Sequence, residues 1–346
     1  MLGMGPCWLV IGYDCNNRCR WCYASQELSS RKRMDRKTLL ESIGFLDSLM
    51  VSNVVLIGGE PTVSKLLTLA VKEIADRDME PTVVTNGRRM ANRDYVKKLQ
   101  DSGLRMLSIS IESTSEEQHD WITQRPGSFA DTVAGIQAAV ECGMIVDTVT
   151  TISFDNLPDV DQMITWAKSL GIKSVGFNIE TPNVDDPIPS LLTVRAAVCK
   201  MSELLNLADA EGIETHFAAS IPLCLLPESL QEDQHFRGSC FVYYGTGLVI
   251  DTNGGIIPCV HWIGAEIDSI YGPNGVKAAD EFLANWNDGP PKKFRKALWR
   301  YPAKNCIACR MWANNCTGGC PLLRLNRDLS QEIDPVLGLS EEVILR

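Results

Sequence analysis

Short apolar runs alternate with amphipathic stretches between residues 7 and 217, and this rhythm constrains the fold more than anything else in the chain. Residues 7–12, 53–57, 81–84, 104–111, 145–152 and 173–179 are short and apolar, and each reads as a buried strand. Between them, residues 36–49, 65–77, 94–102, 129–142 and 159–170 carry apolar side chains at helical spacing, and 194–210 supplies a last helix. Gly103, Gly143 and Gly171 each stand where a helix should stop. Repeated strand–helix units imply a parallel sheet with helices outside. Six units are too few for a closed eight-stranded barrel. The expected fold is therefore α/β, a partial (β/α)6 TIM-like barrel, with its chemistry at the C-terminal strand ends.

After about residue 218 the rhythm breaks, and cysteine, glycine, proline and tryptophan become dense. A chain of 346 residues has room for two domains. The expected division is a barrel over 1–217 and a small cysteine-rich region over 218–346, held more by metal than by a large core. The tail 334–346 receives no role.

The thirteen cysteines are grouped. Cys15, Cys19 and Cys22 lie on the loop after the first strand, spaced C-x3-C-x2-C. Cys240, Cys259, Cys306, Cys309, Cys316 and Cys320 lie in the last third, and Cys7, Cys142, Cys199 and Cys224 fall elsewhere. An odd number of thiols argues against a closed disulfide set, and a structural zinc site wants a fourth Cys or His in register. Three thiolates on one loop suit three corners of an iron–sulfur cube, leaving one iron open for another ligand.

Bulk properties exclude some functions. The net charge of −10 argues against nucleic-acid backbone binding as the main task. No run of about 18 apolar residues exists to span a membrane. The first residues lack a signal-peptide pattern, so a cytoplasmic location is expected, where cysteines serve as metal ligands or reactive thiols.

Other strand ends carry polar or glycine-rich groups: Gly58-Gly59-Glu60-Pro61 after the second, Thr85-Asn86-Gly87 after the third, and Ser110 and Glu112 at the fourth. All should meet at one rim. Two adjacent glycines let the backbone come close to a ligand.

With the three-cysteine loop on the first strand and Gly58–Pro61 on the second, residues 7 to about 217 resemble the radical S-adenosylmethionine (SAM) enzymes. The resemblance implies that Cys15, Cys19 and Cys22 hold a [4Fe–4S] cluster whose fourth iron chelates SAM. Reductive cleavage of SAM would then yield a 5′-deoxyadenosyl radical that takes hydrogen from a substrate. By the same resemblance, Gly58, Gly59 and Glu60 would face the ligand's ammonium group, and Ser110 and Glu112 its ribose. Arg125 would pair its carboxylate, and Asn156 and Asn178 its adenine or carboxylate. Members of the peptide-modifying branch carry Asp-Gly where Glu112-Ser113 stands here.

The last third resembles the SPASM domain, which carries auxiliary [4Fe–4S] clusters. Cys240, then Gly254-x4-Cys259, then Cys306-x2-Cys309 and Cys316-x3-Cys320 follow its pattern. Six residues separate Cys309 from Cys316, and no cysteine follows Cys320. The resemblance implies a first auxiliary cluster on Cys240, Cys259 and Cys320, with Cys224 as its upstream fourth ligand. Cys306, Cys309 and Cys316 would hold a second, closed by an oxygen ligand such as Asp328 or Asp334 or left with an open iron. One zinc ribbon, or a single-cluster twitch-like domain, is the alternative. Cys7, Cys142 and Cys199 are expected as buried thiols, while Trp8, Trp21, Tyr23, Trp262 and Trp312 would shield the clusters.

The activity implied is hydrogen abstraction from a ribosomally made peptide. It would form a cross-link, an epimer or an oxidised side chain. The first strand begins early in the sequence, so either a separate leader-binding protein would present the peptide or no leader is needed. A reductase, flavodoxin or ferredoxin would supply electrons. A small-molecule dehydrogenase of sugar or antibiotic biosynthesis, or a sulfatase-maturating enzyme, is the competing reading.

Overall fold

The computed structural model describes residues 4–5, 7–181, 194–299, 301 and 303–325. Seven strands run in sequence order and pair parallel: β1 (Cys7–Val10), β2 (Asn53–Ile57), β3 (Glu80–Thr85), β4 (Met106–Ser110), β5 (Ile145–Ile152), β6 (Ser174–Ile179) and β7 (Glu214–Phe217). They form an α/β partial barrel of the TIM-like kind. Helices α1 (Arg36–Ser48), α2 (Leu67–Ala75) and α3 (Arg93–Asp101) follow the first three strands. Then come α4 (Glu116–Thr123), α5 (Ser128–Glu141), α6 (Gln162–Ser169) and α7 (Val194–Glu211). The core between the sheet and these helices is aliphatic: Leu9, Leu39, Ile43, Leu56, Val83, Leu107 and Val175 are fully buried. Burial of this kind, at roughly 25 cal/mol per Å² of apolar surface, is what holds a parallel sheet.

Two elements depart from the sequence expectation. The barrel has a seventh strand, β7, whose residues alternate exposed and buried. Glu214 and His216 at the exposed positions hide it from any search for a continuous apolar run. Helix α4 was not expected either, because its sequence is mostly polar. It starts where the Ser115 side chain accepts from Gln118 N, in a Ser-x-x-Gln order that is a helix-start signature.

The chain after β7 is not set apart from the barrel. Beyond β8 (Gly238–Ser239) and α8 (Phe241–Tyr244), strand β9 (Val249–Ile250) pairs parallel with β1. Strands β10 (Gly255–Ile257) and β11 (Asp268–Ser269) add antiparallel beyond it, giving a ten-stranded sheet. A small hairpin, β12 (Tyr271–Gly272) and β13 (Gly275–Val276), leads to α9 (Ala279–Asp288) and α10 (Pro290–Leu298). Strand β14 (Cys316–Gly319) pairs with β8, and α11 (Pro321–Leu325) follows it. Among the described residues no helix is long and apolar enough to cross a membrane.

Candidate active site and thiol clusters

The C-terminal ends of the strands meet as expected, joined by a chain of hydrogen bonds. Gly59 N donates to Gly12 O at 2.9 Å and Glu60 N to Asp14 O at 2.8 Å. A Cβ on Gly58 would strike Gly12 O, and one on Gly59 would strike Tyr13 O and lie 2.6 Å from Asp14 O. These glycines thus seat the second strand exit against the root of the cysteine loop. Tyr23 Oη donates to Gly58 O at 2.7 Å, closing the contact from the other side.

Glu60 is buried, and its carboxylate is committed within the protein. Oε1 accepts from Thr62 N (3.0 Å), Thr62 Oγ1 (2.6 Å) and Thr85 Oγ1 (2.6 Å), while Oε2 accepts from Asn86 N (2.7 Å). It therefore clamps the exits of β2 and β3. Asn156 is also buried and committed. Its Nδ2 donates to Glu112 O and Thr151 O, both at 2.9 Å, and its Oδ1 accepts from Ser153 N at 2.9 Å. It clamps β4 to β5. Asn178 is half-buried, with Oδ1 accepting its neighbour Ile179 N. Ser110 is half-buried opposite Val149. Arg125 is exposed just past α4.

Glu112 is buried, and its Oε2 accepts from Thr151 N at 3.0 Å. Burial raises its carboxyl to about 7. Its charge reaches Cys19, so it faces the cysteine loop. Beside it, Glu112 N donates to His119 Nδ1 at 3.2 Å, and burial lowers that imidazole to about 4.

Sequence reasoning missed the brace beneath the loop. Arg88 Nη1 donates to Asn16 O (2.8 Å) and Asn17 Oδ1 (3.0 Å), Asn86 Nδ2 donates to Asn16 Oδ1 (2.7 Å), and Arg88 pairs with Asp131. Arg18 N and Arg20 N donate to Thr123 O and Ile122 O at the end of α4. The two asparagines between Cys15 and Cys19 were the available signal. So held, Cys15, Cys19 and Cys22 lie close enough to feel one another's charge, and burial raises all three thiols.

The remaining thiols fall into two sets. The pairing Gly319↔Ser239 between β14 and β8 sets Cys320 beside Cys240. Cys259 joins them: burial first, then Cys320 and Cys240, raise its thiol. Trp262, Val242 and Leu322 pack around this set. The other set lines one hollow, formed by Cys224, Cys306, Cys309 and Cys316 with Met311 and Trp312. Burial, then Cys316, Cys306 and Cys309, push the Cys224 thiol up to about 12.

This corrects the expected partition. Cys224 stands with Cys306, Cys309 and Cys316, not with Cys240, Cys259 and Cys320. The cause is local: the turn 223–225 packs on β8, where Leu223 lies against Gly238. The short set is therefore the Cys259 set. Asp328 and Asp334 lie outside the described residues. Cys7 is buried as expected, whereas Cys142 is half-buried and Cys199 is exposed.

The thiol sets can be tested against the clusters they would hold. Among the described residues, no three His, Cys, Asp or Glu side chains close on a single metal ion. A cubic cluster asks for something else, one thiolate on each iron. The hollow lined by four thiols meets that requirement, and the loop with three would leave one iron for another ligand.

Residues 9–167 match the description of the Radical SAM superfamily. This stretch is a radical SAM domain. The superfamily implies a [4Fe–4S] cluster and SAM. Among curated relatives, this chain is 30 % identical over 161 residues to GTP 3′,8-cyclase of Campylobacter curvus, covering 45 % of this chain and 48 % of that protein. It is 29 % identical over 160 residues to AdoMet-dependent heme synthase of Methanosarcina barkeri, covering 45 % of each. The matches thus span about half the length of these relatives. Among solved structures, Streptococcus suis SuiB bound to SAM superposes with TM-score 0.73 at 17 % identity, over 98 % of this chain and 78 % of that one. The anSMEcpe enzyme with bound AdoMet superposes with TM-score 0.70 at 13 % identity, over 95 % and 92 %. At these identities the likeness concerns the fold.

Proposed function

We propose that this radical SAM enzyme modifies a peptide by hydrogen abstraction. A reduced cluster with SAM supplies the 5′-deoxyadenosyl radical. Cys15, Cys19 and Cys22 would hold that cluster, the Gly58–Glu60 turn would line the ligand, and Glu112 would face its ribose. Arg125, Ser110, Asn156 and Asn178 are secondary candidates, with Glu60 and Asn156 acting as clamps that set the rim. The cysteine-rich half is read as a SPASM-like region with clusters on Cys240/Cys259/Cys320 and on Cys224/Cys306/Cys309/Cys316. A reductase, flavodoxin or ferredoxin would be the electron donor.

The observation that carries this reading is the extent of the likeness. Similarity to the nucleotide cyclase stops with about half the chain, whereas the likeness to SuiB runs through the thiol-rich half. SuiB has also been solved with its precursor peptide SuiA, and anSMEcpe with the Cp18Cys peptide. A second reading, a small-molecule substrate, draws on the cyclase similarity.

The test incubates the anaerobic, reduced holoenzyme with SAM and, separately, with short peptides encoded beside its gene and with GTP. Deoxyadenosine formation stimulated by a peptide that loses hydrogen mass is the expected result. Consumption of GTP with inert peptides would transfer the assignment to the second reading.

A further inference from the structure

The three-thiol set Cys240, Cys259 and Cys320 lacks a fourth ligand, and the sequence around it offers one of the right chemistry. Within two residues of these cysteines, His261 is the only His, Asp or Glu. Its main-chain N–H donates to Cys259 Sγ at 3.3 Å, so its side chain springs from the edge of the set. Its Nδ1 is buried and has no hydrogen-bond partner. A buried acceptor left bare costs about 1–3 kcal/mol, which argues for an occupant.

The rest of the ring is fixed. The Thr181 main chain, at the C-terminal end of the barrel beyond β6, hydrogen-bonds the imidazole. With Nδ1 unpartnered, that bond belongs to Nε2–H and a carbonyl. Such a bond sets the tautomer and leaves the Nδ1 lone pair free, as in histidines that bind metals. Tyr23 lies with its ring centroid 5.2 Å from the imidazole, tilted 47°, and packs it from the side of the cysteine loop.

We propose that His261, through Nδ1, is the fourth ligand of the cluster on Cys240, Cys259 and Cys320. The proposal rests on the reading that this set holds a [4Fe–4S] cluster. A neutral imidazole donates its lone pair without releasing a proton or an electron, so nothing else is consumed. The two auxiliary sites would then differ in kind: three thiolates and an imidazole beside the barrel, four thiolates in the hollow behind it. The neutral ligand leaves the cluster one negative charge short of its all-thiolate equivalent, which favours reduction.

The test is pulsed electron paramagnetic resonance on the reduced, reconstituted holoenzyme without SAM, grown with 15N-histidine. The chain has four histidines, so a 15N coupling to a cluster is nearly self-assigning. The expected result is a directly bonded 15N coupling that His261→Gln abolishes and His216→Gln leaves unchanged. Auxiliary iron without any histidine coupling overturns the proposal while leaving the cluster assignment standing. So does a coupling that survives His261→Gln. A protein that binds no iron beyond the cube of the first loop (about four irons) overturns both.

Discussion

The barrel and the cysteine-rich segment are held together in different ways. Strands of four to eight residues (β1 to β7), backed by helices, bury a continuous aliphatic core in the first region. Beyond residue 217 the strands are two to four residues long, and seven cysteines gather in two groups. Small elements with little apolar area of their own gain cohesion from a bound metal. The two halves should therefore respond separately to loss of metal and to loss of packing.

The largest effect expected is on the first loop. Replacing Cys15, Cys19 and Cys22 by Ala should remove one cube, about four irons, and abolish deoxyadenosine formation, as read by iron analysis and chromatography. The barrel should keep its cooperative melting. Cys224→Ala should instead strip iron from the Cys306 set and loosen the C-terminal segment to proteolysis. Exposed Cys199→Ala provides the control. If Cys224→Ala removed iron from the Cys240 set only, the partition drawn here would be wrong.

Packing at the rim comes next. Gly59→Ala forces a methyl group against the Tyr13 and Asp14 carbonyls. It should cost about 3 kcal/mol in denaturant unfolding, the upper range for overpacking, and displace the cysteine loop so that SAM binding weakens as well. A variant with wild-type stability and SAM affinity would refute this role for the turn.

Glu112 makes the comparison pH-dependent. Its folded value of about 7 lies above the ordinary 4.5, so the fold favours the protonated form. Its contribution is whole below pH 4.5 and is lost as pH rises through 7. Glu112→Gln should therefore gain stability relative to wild type across that window, by up to about 3 kcal/mol. A constant difference from about pH 4 to 8 would contradict the burial argument. The smallest effect expected is Thr85→Val, which removes one of four bonds to the buried Glu60 carboxylate. It should cost about 2 kcal/mol, and thermal melts would read it.

Much of the barrel was legible because buried parallel strands need continuous apolar runs and their helices need 3.6-residue periodicity. Strand β5 was read to the residue. Strand β7 escaped because its exposed Glu214 and His216 break the run, and α4 because its buried His119, Ile122 and Thr123 are outnumbered by polar neighbours. At the rim, residue types such as Glu60 and Asn156 were recognisable as special. Their commitment to the neighbouring loops was not, because hydrogen bonds spanning 25 or 44 residues leave no local signature.

Periodicity and the C-x3-C-x2-C spacing alone determined that this chain is a parallel α/β barrel with an incomplete thiol set on its first loop. Both are short-range patterns, carried by residues a few positions apart. Only the tertiary structure decided which distant cysteines share a cluster. Cys224 lies 82 positions before Cys306, and the packing of its turn against β8 and β14, rather than any spacing, brings them to one hollow.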